Sequence, residues 1–146
     1  MRSTLAVTAL TVAVATPLLV GTPAPAATRT QARFDDTRIF TPDNPPGSAT
    51  TSLPGCATAT TVDQRGQLVG TPIKGIFTAL RDFQCGGGTG FVVRLRASFA
   101  NEGSSGTWSI VDAYGDLAGL SGSGKLVGEP VEGGIIDHYN GWVTVH

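Results

Sequence analysis

The chain has 146 residues, 40 % of them hydrophobic and 14 % charged, with a formal net charge of −1. That length suits one domain. The near-neutral balance and scattered charges exclude a basic face for nucleic acid and a polybasic segment for anionic membranes.

In chain order, residues 1–26 read as a secretory signal peptide. Arg2 supplies the positive start, Leu5 to Val20 is an uncharged run, and Ala24-Pro25-Ala26 is an A-x-A cleavage site. The run falls short of the roughly 20 residues a span needs and Pro17 interrupts it, so no membrane anchor is expected and the mature protein is predicted to be secreted. Residues 27–48 read as a flexible, proline-rich arm, with Asp35-Asp36 and the cluster from Pro42 to Pro46. Phe34, Ile39 and Phe40 are its large apolar groups, and Phe34 and Phe40 are able to dock on the domain or close one edge of a sheet. The folded domain is expected over residues 49–146.

From Ala49 onward the pattern is strands. Cys56–Val62, Gly66–Thr71 and Lys74–Phe83 are candidates, separated by Asp63-Gln64-Arg65 and Thr71-Pro72. Phe91 to Phe99 shows the clearest alternation: Phe91, Val93, Leu95, Ala97 and Phe99 point one way, with Arg94, Arg96 and Ser98 opposite. A turn over Asn101–Gly106 leads to a strand at Thr107–Asp112; alternation puts Asp112 on the face of Trp108 and Ile110, but at the strand's end it is expected to be exposed beside the corner. A corner at Ala113–Gly119, a strand at Ser123–Gly128, a turn at Glu129–Gly133 and a long strand at Gly134–Val145 complete the chain. About seven strands with short connections predict an antiparallel sandwich or barrel. Cys56 and Cys85 form an even pair in an exported chain, and neither lies in a C-x-x-C, so a structural disulfide is expected. The loop of about 29 residues that it closes is worth roughly 3.6 kcal/mol in the chain-entropy account.

The chemistry-bearing motifs are few. Gly119 to Lys125 matches G-x-x-x-x-G-K, but Leu126 stands where a phosphate-binding loop needs Ser or Thr, and a strand rather than a helix follows, so no nucleotide is expected. In Asp137-His138-Tyr139, strand alternation puts His138 opposite its two neighbours, so Asp137 cannot orient it as in a triad. There is no G-x-S-x-G elbow and no metal-ligand set, and nothing implies a cofactor. Paired carboxylates for acid–base work would have to come from Asp112, Asp116, Glu129 or Asp137. No catalytic residue is assigned; Asp112 and Tyr139 come nearest to that role.

The runs Gly106-Thr107-Trp108-x-Ile110-Val111, Tyr114 to Leu126 and Ile136-Asp137-His138-Tyr139-x-Gly141, with Cys85-Gly86-Gly87-Gly88-Thr89-Gly90-Phe91, resemble a group of secreted actinobacterial proteins. These are allene oxide cyclase-like, dirigent-like barrels. The resemblance spans roughly Cys56 to His146 and implies a small antiparallel β-barrel of about six to eight strands around a cavity. Phe91, Phe99, Trp108 and Tyr139 are the expected ligand-binding wall. The function expected is a non-enzymatic secreted barrel that binds a small apolar ligand or a protein partner. The alternative is a cyclase or isomerase acting in the cavity, and both a monomer and a homo-oligomer remain open.

Overall fold

The structure, a computed structural model, describes residues 30–145, with only the backbone of Asp36. The leader expected over residues 1–26 and the terminal His146 lie outside the described residues. Eight antiparallel strands in chain order close into a barrel: β1 (Thr30–Pro42), β2 (Gly47–Thr50), β3 (Thr58–Thr71), β4 (Lys74–Gly86), β5 (Thr89–Ala100), β6 (Gly103–Tyr114), β7 (Ser121–Val131) and β8 (Gly134–Val145). A single 3-10 turn, Gly115–Leu117, marks the corner between β6 and β7. Each strand pairs with its chain neighbour, and β1 pairs with β8 to close the ring. Closure through β1 and β8 pairs what would otherwise be two exposed sheet edges, except along the upper part of β3.

The flexible arm expected over residues 27–48 is corrected from residue 30 onward. β1 pairs with β8 from Thr30–Val145 to Pro42–Gly134. Phe34, Thr37 and Ile39 are fully buried, so this segment is core and not linker. Its composition misleads because two residues, Asp35 and Asp36, stand opposite one at a bulge. That extra residue moves the inward phase from Phe34 to Thr37, Ile39 and Thr41, and simple alternation fails across it.

Bulges also reset β3 and β6. In β3 the extra residue is Gln64: Asp63 pairs with Arg81 and Arg65 with Leu80. The three residues expected as a turn are therefore one kinked strand. In β6, Val93 pairs with Ile110 and Val92 with Asp112, which leaves Val111 unpaired.

The two ends of the barrel differ. At one end the disulfide joins Cys56, in the β2–β3 connection, to Cys85 near the end of β4, with Cα atoms 5.0 Å apart. Leu53, Cys56, Leu117 and Leu120 are buried there and seal it. The other end carries the β1–β2, β3–β4, β5–β6 and β7–β8 turns. β2 reaches β3 only over Thr58–Thr61, so β3 from Val62 to Thr71 has no strand neighbour on that side among the described residues. This flank stays open.

Between the ends, five rings fill the lumen in a closed circuit. Phe83 stacks on Phe91 at 4.6 Å and Trp108 on Tyr139 at 5.7 Å, and Phe34 meets both Phe91 and Trp108. Phe83 meets Tyr139 edge-on and completes the circuit. The Trp108 ring lies over Gly141, where a Cβ would collide with the indole and with the β7 backbone. The Trp108 indole N–H donates to the Lys125 carbonyl at 3.0 Å.

If β1 is core, Phe34→Ala should cost about 3–5 kcal/mol, as large-to-small changes in a packed interior do. Urea unfolding of the oxidised protein checks this; a change within about 0.5 kcal/mol would return the segment to a flexible arm.

Candidate functional site

Above the aromatic circuit lies a cluster of buried charge. Arg81 is on the inward phase of β4, between Ala79 and Phe83, and its side chain is only 4 % exposed. Its Nε donates to Asp63 Oδ1 at 2.7 Å and its Nη2 to Asp63 Oδ2 at 3.0 Å, a two-point pairing with its cross-strand partner. Its Nη1 donates to Asp137 Oδ2 at 2.8 Å. Asp137 is on β8, four strands round an eight-stranded ring from β4, so the guanidinium bridges the full width of the lumen. The Asp63 and Asp137 side chains are 27 % and 11 % exposed. Burial disfavours the arginine charge, but Tyr139, Asp63 and Asp137 more than offset it and hold the group above its ordinary range, so it stays charged.

This cluster floors a cavity of about 340 Å³. Its walls include Phe77, Leu95, Ala97, Phe99, Leu126 and Ile135; Leu68 and Pro72, from the β3–β4 hairpin, reach its rim. Asp63, Arg81 and Asp137 are the charged residues that line it, and Thr41 and Ser104 add hydroxyls. One row of paired residues crosses its wall: Phe99, Ser104, Gly128 and Asp137 on β5 to β8. Gly128 is required in that row, because a Cβ there would collide with both the Ser104 hydroxyl and the Asp137 carboxylate. Other hollows, such as that at Arg65, Thr78 and Arg94, lie on the outer wall.

Three buried oxygens near this floor have no hydrogen-bond partner among the described residues: Thr37 Oγ1, Thr41 Oγ1 and Tyr139 Oη. Thr37 and Tyr139 face each other across the β1–β8 pairing. Burial pushes the Tyr139 hydroxyl well above the ordinary tyrosine range; Arg81 opposes this, and Asp137 and Asp63 add to it. On the outer wall, Tyr114 donates to Asp82 Oδ1 at 2.8 Å; burial and that carboxylate push it up to about 12.

The four aromatics expected to line a cavity divide. Phe99 lines it. Phe91, Trp108 and Tyr139 belong to the packed circuit beneath, which leaves them no free face, and this corrects the expected wall. Asp112 is exposed beside the corner: the Val111 bulge turns it to the outside, where its Oδ1 accepts from the Ala113 N–H at 2.9 Å. Tyr139 is inward and buried, so it is held away from the cavity, while His138 faces outward from β8 and is half-buried. The Gly119–Lys125 run leads into β7, with Lys125 exposed on a strand. The residues that floor the cavity include two that sequence reasoning passed over, Arg81 and Asp63. The signal for Arg81 was present: an arginine on the same phase as Phe77, Ala79 and Phe83.

No protein-family model matches the chain, and no curated protein matches it in sequence. No helix among the described residues is long and apolar enough to cross a membrane.

The chain has two tyrosines, so their titration is clean. Both favour the neutral form in the fold, so the stability they contribute is complete below the unfolded value of about 10 and is lost as pH climbs through the folded values. For Tyr114 that loss runs from about 10 and is complete near 12, and for Tyr139 it continues higher. Tyrosinate absorbance should be nearly absent at pH 10, with Tyr114 ionising toward 12 and Tyr139 only with unfolding; a tyrosine half-ionised at about pH 10 in the folded protein would contradict both placements.

Proposed function

We propose that this protein is a non-enzymatic barrel that holds a small, largely apolar ligand in its open end and works outside the cytoplasm. The observation that carries the reading is the cavity of about 340 Å³, walled by Phe77, Leu95, Phe99, Leu126 and Ile135 and closed below by Arg81 with its two carboxylates. Pockets for small molecules are concave and mostly apolar, with a few polar groups at fixed points. The floor is rigid because a charge-assisted network locks it and an aromatic circuit supports it. A preformed site of this kind orders few side chains on binding. The disulfide supports an oxidising compartment, in keeping with the secretory leader read from the sequence. The closed antiparallel barrel agrees with the architecture implied by the resemblance to allene oxide cyclase-like, dirigent-like proteins.

The cyclase or isomerase reading has one observation in its favour, a carboxylate that lines the cavity. Two carboxylates line it, Asp63 and Asp137; Asp63 is held at two points by Arg81, and Asp137 is the one with an oxygen outside that network. One of its oxygens is already engaged by Arg81, which favours a fixed binding group over a mobile acid or base.

A neutral fluorescent apolar probe, N-phenyl-1-naphthylamine, tests the binding reading on the oxidised protein. One saturable site per chain is expected. Ala97→Phe, which fills the cavity from a buried wall position, should abolish it while the variant still unfolds cooperatively. Absent binding, or binding that Ala97→Phe leaves untouched, would count against an internal site and in favour of a protein partner on the outer wall.

A further inference from the structure

Resting on the reading that the cavity takes a ligand, the geometry points to the chemistry of that ligand's polar end. We propose that it is a hydrogen-bond donor, by preference an ammonium group on a compact apolar body, and that carboxylates are rejected. The floor holds one guanidinium and two carboxylates, which leaves a net charge of −1. Among the described residues, no other charged side chain lines the cavity to offset it.

The second oxygen of Asp137 agrees with the charge. Three of the arginine's five N–H groups are already committed, two to Asp63 and one to Asp137. Asp137 meets Arg81 through Oδ2, and its Oδ1 stands over Gly128 beside the Ser104 hydroxyl. Thr41 lines the same cavity with a buried hydroxyl oxygen that has no partner among the described residues. Asp137 Oδ1 accepts only, whereas the Ser104 and Thr41 hydroxyls donate as well as accept and do not choose between ligands. A donor on the ligand is therefore what the free carboxylate oxygen can engage. An incoming carboxylate would meet a negative floor and the acceptor-only oxygen of Asp137, within apolar walls that screen charge weakly.

The test is competition for the neutral probe by three ligands of one shape: 1-naphthylmethylammonium, 1-naphthalenemethanol and 1-naphthoate, at pH 7 and low salt. The ammonium should bind at least about tenfold more tightly than the carboxylate, the modest end of what opposite charges a few ångströms apart supply in a partly polar medium, with the alcohol between. Asp137→Asn should bring the ammonium and carboxylate affinities together, and Asp63→Asn, at the more exposed carboxylate, repeats the test should the first variant fail to fold. Equal displacement by all three ligands, or preference for the carboxylate, would overturn the charge inference and leave the cavity reading intact. Failure of the probe to bind at all would overturn both. An ammonium preference that survives in a folded Asp→Asn variant would show that the floor is not its source.

Discussion

One guanidinium spans the inside of this barrel, and the rest of the interior is arranged around it. A buried arginine is tolerable only when its charge is matched and its donors are engaged. Arg81 satisfies that condition by reaching in two directions, to Asp63 on the adjacent strand and to Asp137 on the far wall. Removing one member of such a network typically costs about 3–5 kcal/mol, because the remaining charges stay buried without a partner. The network ties the β3–β4 hairpin to β8, whose other edge carries the closing strand β1. Closure of the sheet and placement of the charge thus reinforce each other.

The guanidinium also divides the lumen. An eight-stranded barrel is just wide enough for its own side chains to fill. On the sealed side they do so, with five rings in edge and stacked contact and a glycine at 141 that admits the indole of Trp108. On the open side the walls are apolar but no ring spans the gap. The four-residue β2 leaves the flank of β3 uncovered, and the hairpin turns stand apart. A filled half thus supports a polar floor, and the floor faces an unfilled half. That asymmetry, more than the barrel itself, makes binding a reasonable function.

Much of the fold was legible in the residues. The alternation from Phe91 to Phe99 identified the inward face of β5, and Gly134–Val145 was read as a strand with Asp137 and Tyr139 on one face, as the structure has it. The cysteine pair followed from an even count and is bridged. The misreadings share one physical cause. A bulge inserts one residue and reverses the inward phase, so period-two reasoning fails beyond it. At Asp35–Asp36 this hid β1 as a polar arm, and at Gln64 it made a kinked strand look like a turn. Arg81 was missed for another reason. Its phase with Ala79 and Phe83 marks it as inward, but the carboxylates that make a buried arginine tolerable are not visible from its neighbours. Those partners lie 18 and 56 residues away in sequence, which composition and local spacing cannot connect.

The most direct test of this account is the mobility of the Arg81 side chain in solution. Nitrogen-resolved NMR of the arginine guanidinium groups in the oxidised protein reads it without altering a residue. Fixed between two carboxylates, Arg81 should show separate, slowly exchanging Nη–H resonances, set apart from the averaged signals of the exposed Arg94 and Arg96. An Arg81 signal as averaged and as fast in exchange as theirs would mean that no guanidinium spans the barrel, and the floor on which the cavity rests would not exist.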